Sequence, residues 1–135
     1  MKKYFIYLVF GLLISLSSCK KRICGFDESQ PIYLGKWKWV ETSGGFAGSI
    51  ETPASTGKEI YYEFLQNGSY IKTVNDIIIE EGKFQISTQN CIHQNRVMPT
   101  IQFESQTELT IETNNTNTLY LADENADGFT YKYTK

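Results

Sequence analysis

Alternation of apolar and polar residues with a period of two is the feature that most constrains the fold of this chain. Ile60, Tyr62 and Phe64 fall on one face of a segment whose other face carries two glutamates and a tyrosine. Leu109 and Ile111 repeat this pattern later in the chain. Such a pattern is typical of a half-buried antiparallel strand. It predicts eight strands: Lys36–Thr42, Lys58–Leu65, Ser69–Val74, Ile77–Ser87, Thr100–Glu104, Glu108–Glu112, Thr118–Ala122 and Phe129–Thr134.

Short turn signals separate these segments, and the sequence has no long amphipathic helical pattern. Gln66-Asn67-Gly68 and Asn75-Asp76 are typical of tight turns between antiparallel strands. Short connections predict that consecutive strands pair as hairpins. We therefore expect an all-β fold, an eight-stranded antiparallel up-and-down barrel, because closure of a sheet removes its exposed edges. A two-sheet β-sandwich is the alternative.

The N-terminus carries a separate pattern. Lys2 and Lys3 precede an uncharged apolar run over Tyr4–Leu16, which is typical of a secretory signal peptide. The run ends in Leu16-Ser17-Ser18-Cys19, which resembles the lipobox of bacterial lipoproteins, in which the chain is cut before an acylated cysteine. An uncleaved anchor helix and an ordinary secretory signal are the alternatives. The predicted domains are a lipoprotein signal peptide over 1–18, a lipid anchor and linker over 19–33, and a lipocalin-like barrel over 34–135.

Charge is distributed unevenly along the chain that would follow Ser18. Without Lys2 and Lys3, 11 basic and 15 acidic side chains remain, and three of the basic ones follow Cys19 directly, at positions 20–22. The rest of the chain is acidic, which argues against nucleic acid as a partner, since nucleic acids select basic faces. The basic triplet has two interpretations: attraction to anionic lipid head groups beside the anchor, or a solvated linker.

The order of several motifs resembles that of one protein family. Gly35-Lys36-Trp37 opens the first predicted strand, and a Gly-x-Trp motif in this place is similar to that of the lipocalin superfamily. The whole order, over about residues 35 to 135, resembles the small lipocalin-like lipoproteins of Bacteroidetes-type bacteria. The matching features are Gly35–Trp39, Ser43–Gly48, Phe64–Tyr70, Glu81–Phe84 and Asp127–Tyr133. The resemblance implies a binding-type barrel and names no ligand.

Hairpin counting assigns the ends of the expected barrel. We call the end at which the first strand begins the base, and the opposite end the mouth. The segment Ser43–Gly57 then lies at the mouth, together with the turns at Asn75-Asp76, Ser105–Thr107 and Asp123–Gly128. The long stretch Thr88–Pro99 falls at the base.

Two cysteines remain beyond the expected lipidation site at Cys19. Cys24 leads into the base of the first strand, and Cys91 lies in the stretch predicted at the same end. An even pair in an oxidising envelope predicts a Cys24–Cys91 disulfide, whose loop closure would contribute about 2–4 kcal/mol. Two buried free thiols, or one exposed thiol, are the alternatives.

Bulky inward-facing residues predict a filled base and at most a shallow cup at the mouth. Trp39 and Phe129 are the candidate lining residues of this cup, with a core role as the alternative for each. Phe46 and Ile50 offer apolar contacts from the glycine-containing segment Ser43–Gly57, which we expect to act as a lid. A disordered loop without function is the alternative.

Residues for catalysis or metal binding are scarce. His93, the single histidine, and Cys91 form neither an activated nucleophile nor a complete zinc ligand set. Asp123–Gly128 matches the start of a calcium loop, but Thr134 stands where a bidentate glutamate is needed. An acidic hairpin turn explains the segment better. We expect no enzymatic activity, metal or cofactor.

Two functions are compatible with this sequence. The first is a lipid-anchored envelope protein that binds a small apolar or amphipathic ligand at the barrel mouth. The second is a non-enzymatic structural or protein-interaction lipoprotein, with a filled barrel and an envelope protein partner. Both predict attachment to the membrane through lipid on Cys19. The basic residues after Cys19 favour an outer-membrane protein that faces the periplasm.

Overall fold

Side chains that point alternately inward and outward define the strands of the computed structural model, which describes residues 31–112 and 115–135. The elements are β1 (Gly35–Gly44), β2 (Ser49–Glu51), α1 (Pro53–Thr56), β3 (Ile60–Phe64), β4 (Ser69–Val74), β5 (Ile77–Cys91), β6 (Arg96–Phe103), β7 (Glu108–Ile111), β8 (Thr118–Ala122) and β9 (Phe129–Thr134). In β1, Trp37 and Trp39 are buried while the lysines beside them are exposed. Within the described ranges, no helix has the length and hydropathy to cross a membrane.

The nine strands form one antiparallel sheet that closes on itself. β1 pairs with β3 on one side and with β9 on the other, and each later strand pairs with the next. Trp37 lies opposite Tyr62 of β3, and Trp39 lies opposite Tyr133 of β9. Opposed residues share one face of a sheet, so these four aromatic side chains all point to the inner face of the closed sheet. The short strand β2 pairs with the far end of β1.

The all-β prediction is confirmed, and each of the eight predicted strands has a counterpart in the structure. The segment Ser43–Gly57 is not a loop: it holds the end of β1, all of β2 and α1. Thr52 and Ser55 form a capping box around α1, and Gly57 ends the helix in the left-handed region. The predicted signal peptide, Cys19 and Cys24 lie outside the described residues.

Aromatic side chains fill the base of the ring. Phe64 is 1% exposed, and its ring meets the edge of Phe84 with 5.3 Å between centroids. Trp37 is fully buried and donates its indole N–H to the carbonyl oxygen of Tyr33 at 2.7 Å. Edge-to-face pairs contribute about 0.5–1.5 kcal/mol beyond the area they bury. The remaining core comprises Tyr70, Ile101, Phe103, Leu109, Ile111, Leu119 and Leu121.

Strand pairing fixes which loops meet at the mouth. Ala122, the last residue of β8, pairs with Thr130 of β9, and Thr130 pairs with Ser43 near the end of β1. The loop after β8 therefore lies at the opposite end from Gly35, as hairpin counting predicts. Gly35 itself pairs with Phe64 at the base.

The long stretch predicted at the base is wrong in both structure and position. Most of it belongs to strands, because β5 and β6 continue until Cys91 faces Arg96. The hairpin tip then meets the loop after β8: Ile92 donates its N–H to Glu124 Oε2 at 2.8 Å, and His93 Nε2 lies 3.2 Å from the Asp123 carbonyl oxygen. The prediction that Thr88–Pro99 lies at the base is wrong because hairpin counting treats strands as straight. The β5–β6 hairpin instead curls back towards the loop that follows β8.

This position removes the topological reason for a Cys24–Cys91 disulfide. Cys91 is 1% exposed and lies near Glu124, beside the loop that follows β8 rather than where β1 begins. Cys24 lies outside the described residues, so the pairing itself stays a prediction.

The junction of β1 with β9 requires glycine at position 44. Gly44 has a φ of 133°, and a Cβ atom there would lie 2.3 Å from the carbonyl oxygen of Gly128. Gly48 also has a positive φ, of 62°, but a Cβ there would meet nothing within 4 Å. We expect Gly44→Ala to lower the free energy of unfolding by about 2 kcal/mol and the control Gly48→Ala by about 1 kcal/mol. Urea denaturation measures both, and equal losses would contradict a close approach at Gly44.

Candidate functional site

A cavity of about 450 Å³ lies at the mouth of the ring. Residues from β1, β3, β4, β5, β6, β7 and β9 form its walls, and residues from β2, α1 and the loops complete the lining. The buried or half-buried lining residues are Trp39, Thr42, Thr56, Ile60, Tyr62, Lys72, Glu80, Phe103, Leu109, Asp123, Tyr131 and Tyr133. The exposed ones are Glu51, Lys58, Ser105, Thr107 and Phe129.

Of the four residues predicted to contact a ligand, the structure places two at the cavity. Trp39 lines it while only 3% exposed, and its indole N–H is donated to the Thr42 hydroxyl at 2.9 Å. Phe129 lines the rim at 37% exposure. Phe46 and Ile50 lie outside the lining, at 95% and 65% exposure, because their hairpin projects into solvent.

Two buried tyrosines form the floor of the cavity. Tyr62 is 8% exposed and Tyr133 is 4% exposed, and their rings meet edge to face with 5.8 Å between centroids. Burial raises the pKa of both phenols well above the ordinary value, and nearby groups, Glu80 and Tyr131 among them, add to this. Both hydroxyls are therefore neutral at any physiological pH.

A pair of charged residues lies on one wall. Lys72 and Glu80 face each other across β4 and β5, with 3.8 Å between Nζ and Oε2. Lys72 Nζ also lies 5.1 Å from the ring centroid of Tyr62, a cation–π contact. Tyr70 donates its hydroxyl to Glu80 Oε1 at 2.6 Å. Burial and this carboxylate raise the pKa of Tyr70 to about 12.

The loop between β8 and β9 shapes the rim from the other side. Asp123 lines the cavity and accepts the N–H of Phe129 through Oδ2 at 3.1 Å, which holds the start of β9 and its aromatic ring. Glu124, the next residue, turns away from the cavity. It accepts the Thr110 hydroxyl at 2.6 Å through Oε1 and the Ile92 N–H at 2.8 Å through Oε2. One loop therefore holds both the cavity rim and the β5–β6 hairpin.

The sequence motifs for calcium and for a thiol nucleophile have other roles in this structure. The carboxylates of Asp123 and Glu124 accept the protein hydrogen bonds just described, and no group of three metal-binding side chains occurs in the described part of the chain. Burial, followed by the hydrogen bond to Glu124, raises the pKa of the Cys91 thiol. A raised pKa and full burial are the opposite of what a nucleophilic cysteine needs.

Lys72 and Glu80 were missed at the level of the sequence, although a signal for one of them exists. Lys72 is two residues from Tyr70 in β4, so alternation places both on the inner face. Glu80 is harder to find because the β4–β5 register shifts between Lys72 and Thr73. A register shift of this kind has no clear signal in a single sequence.

Comparison with known proteins adds no further identification. No protein family model, no curated protein and no solved structure matches this chain.

Proposed function

We propose that this protein is a non-enzymatic binding protein that holds a small apolar or amphipathic molecule in the cavity at the mouth of its ring. The observation that supports this most is the cavity itself, which has a volume of about 450 Å³ and six aromatic residues among its seventeen lining residues. Ligand sites generally occupy about 300–1,000 Å³ and combine apolar walls with a few placed polar groups. A filled ring, the alternative from the sequence, has less support from this geometry.

The finer description of the fold belongs to the same proposal. Eight of the nine strands, all except β2, form the closed circuit, and this arrangement is consistent with a lipocalin-like up-and-down barrel. An eight-stranded barrel has room inside for side chains alone or for one small ligand. Here one part of the core, including Trp37 and Phe64, occupies the base, and another part, including Tyr62 and Tyr133, lines the cavity at the mouth.

The cellular location rests on the sequence. The apolar run Tyr4–Leu16 and the cysteine at position 19 support a lipid-anchored protein of the cell envelope, in an outer membrane and facing the periplasm. An anchor at the base end of the domain would leave the cavity facing away from the lipid surface.

A substitution at the rim tests whether the cavity binds. Thr107 lines the cavity from the turn between β6 and β7, and a phenylalanine there would cover part of the opening. We expect the wild-type protein to bind naphthalene, and Thr107→Phe to weaken this binding at least about tenfold, a change of about 1.4 kcal/mol. Saturation-transfer NMR, which detects the bound hydrocarbon directly, gives both dissociation constants.

Thr116→Phe is the matched control, because Thr116 is exposed in the turn between β7 and β8, away from the cavity. This variant should bind naphthalene like the wild type. Binding that is unchanged in Thr107→Phe, or no binding by the wild type, would contradict the proposal.

A further inference from the structure

Two hydroxyl groups at the cavity floor lack a hydrogen-bond partner within the described residues. They belong to Tyr62 and Tyr133, which are each more than nine-tenths buried and both line the cavity. By contrast, the Tyr70 hydroxyl is donated to Glu80 and the Tyr61 hydroxyl to Glu59. Neither oxygen is fully enclosed, since the enclosed unpaired side-chain oxygen among the described residues is that of Thr100, so both hydroxyls open to the cavity. A polar group that enters the cavity therefore gains from pairing with these hydroxyls.

The charges around the floor favour an uncharged ligand. The carboxylate of Glu80 is already engaged by Lys72 and by the Tyr70 hydroxyl, so neither charge of this pair is available without breaking a contact. The other charged lining residues are Glu51, at the end of β2, and Lys58 and Asp123, in loops at the mouth. A charged ligand group at the floor would lose its hydration without gaining a free counter-charge, which is costly.

The aromatic residues of the cavity walls favour a ligand that contains a flat ring. Trp39, Phe103 and Phe129 line the cavity around the two floor tyrosines. Aromatic side chains bury large apolar areas and prefer stacked or edge-to-face contact with other rings. The cavity therefore combines aromatic walls with two neutral phenol groups, each able to donate one hydrogen bond and to accept another.

We propose that the cavity floor binds an uncharged, flat, ring-containing molecule through a carbonyl or hydroxyl oxygen that pairs with the hydroxyls of Tyr62 and Tyr133. This inference rests on the proposed function and names the class of its ligand. The phenols donate to the ligand oxygen, and the ring lies against the aromatic walls.

Four probes of nearly equal size separate this ligand class from its alternatives: naphthalene, the neutral ketone 2-acetonaphthone, the anion 2-naphthoate and the cation 2-naphthylmethylammonium. We expect the ketone to bind the wild-type protein about tenfold more tightly than naphthalene, since each unit of 1.4 kcal/mol corresponds to tenfold in affinity. Both charged probes should bind more weakly than the ketone. Isothermal titration calorimetry or saturation-transfer NMR gives the four dissociation constants.

Tyr133→Phe removes one floor hydroxyl and keeps the ring. We expect it to abolish most of the advantage of the ketone, which is read as the ratio of the naphthalene and ketone dissociation constants for the same variant. Its stability should equal or exceed that of the wild type, because the hydroxyl that is removed has no partner in the protein. Tyr120→Phe is the matched control, since Tyr120 does not line the cavity, and its probe affinities should not change.

The outcomes distinguish this inference from the proposed function. If naphthalene binds and the ketone gains nothing, or if a charged probe binds most tightly, the inference is wrong and the binding function stands. An unchanged preference for the ketone in Tyr133→Phe and in Tyr62→Phe would also overturn it. If none of the four probes binds, the proposed function itself fails.

Discussion

Replacement of Trp37 by alanine should lower the free energy of unfolding by about 3–5 kcal/mol, the usual range for a buried tryptophan. Trp37 is fully buried at the base of the ring, and Lys135 Nζ covers its ring at 4.6 Å from the centroid. The indole side chain of Trp37 lies inside a closed sheet, so the surrounding strands have little freedom to collapse into the space that its removal would leave. Because whole domains are generally stable by about 5–15 kcal/mol, this single change removes a large part of the total.

Trp37→Phe is the graded control for this experiment. It keeps an aromatic ring in the core but removes the indole N–H that is donated to the Tyr33 carbonyl. We expect a smaller loss, of about 1–2 kcal/mol, from this hydrogen bond and the reduced volume. Urea denaturation followed by far-ultraviolet circular dichroism compares the variants. A loss below about 1 kcal/mol for Trp37→Ala would contradict the central role of this residue in the core.

Much of the fold follows from the sequence because the residues that point inward alternate so regularly. The boundaries of β4, β8 and β9 agree with the prediction residue for residue, since turn residues stand directly beside the alternating segments. Asn75 and Asp76 take positive φ values of 50° and 64°, as a two-residue hairpin turn requires. The turn residues next to each strand therefore determine where β4, β8 and β9 begin and end.

Alternation does not predict burial correctly where contacts with residues distant in sequence determine which side chains are covered. Ile86 is two residues from Phe84 in β5, so alternation places both on one face, but Ile86 is 40% exposed while Phe84 is 8% exposed. The pairing of β4 with β5 ends at Lys83, so no residue of β4 lies beside Ile86. The curl of the β5–β6 hairpin depends on contacts with Glu124, a residue far away in sequence. Such contacts have no signature in local periodicity.

The candidate site was predictable only in part for a related reason. Trp39 and Phe129 lie where alternation and hairpin counting together place them, at the inner face near the mouth. The sequence predicts Phe46 and Ile50 at the same place, as apolar contacts from a lid over the mouth. The segment instead forms a hairpin with fixed register, in which Ser43 faces Ile50, and its apolar side chains point into solvent.

Replacement of Glu124 by alanine should lower the free energy of unfolding by about 2–3 kcal/mol, because it leaves the buried Thr110 hydroxyl without an acceptor and also removes the acceptor of the Ile92 N–H. Thr110 is fully buried, and its hydroxyl is donated to Glu124 Oε1 at 2.6 Å. The Ile92 N–H is donated to Oε2 of the same carboxylate, and the Cys91 thiol lies near it. Glu112 offers a matched control, since the hydrogen bond that its side chain accepts from Gln94 within the described residues is exposed. Glu112→Ala should cost less than about 0.5 kcal/mol.

The contribution of Glu124 to the free energy of unfolding should also depend on pH, and the surroundings of its carboxyl group determine whether this contribution is lost at low or at high pH. Burial opposes ionisation, but the hydrogen bonds from Thr110, Cys91 and Ile92, together with the charge of His93, hold the pKa of Glu124 below the ordinary 4.5. A carboxyl group with a lowered folded-state pKa stabilises the protein above the unfolded-state value, and this stabilisation is lost as the pH falls through the folded-state value. We therefore expect the stability difference between wild type and Glu124→Gln to be full above about pH 5 and to shrink below pH 4.5. Urea denaturation of both proteins from pH 3 to pH 7 measures it. A difference that stays constant, or that grows as the pH falls, would show that the ionised carboxylate does not hold the β5–β6 hairpin against the loop.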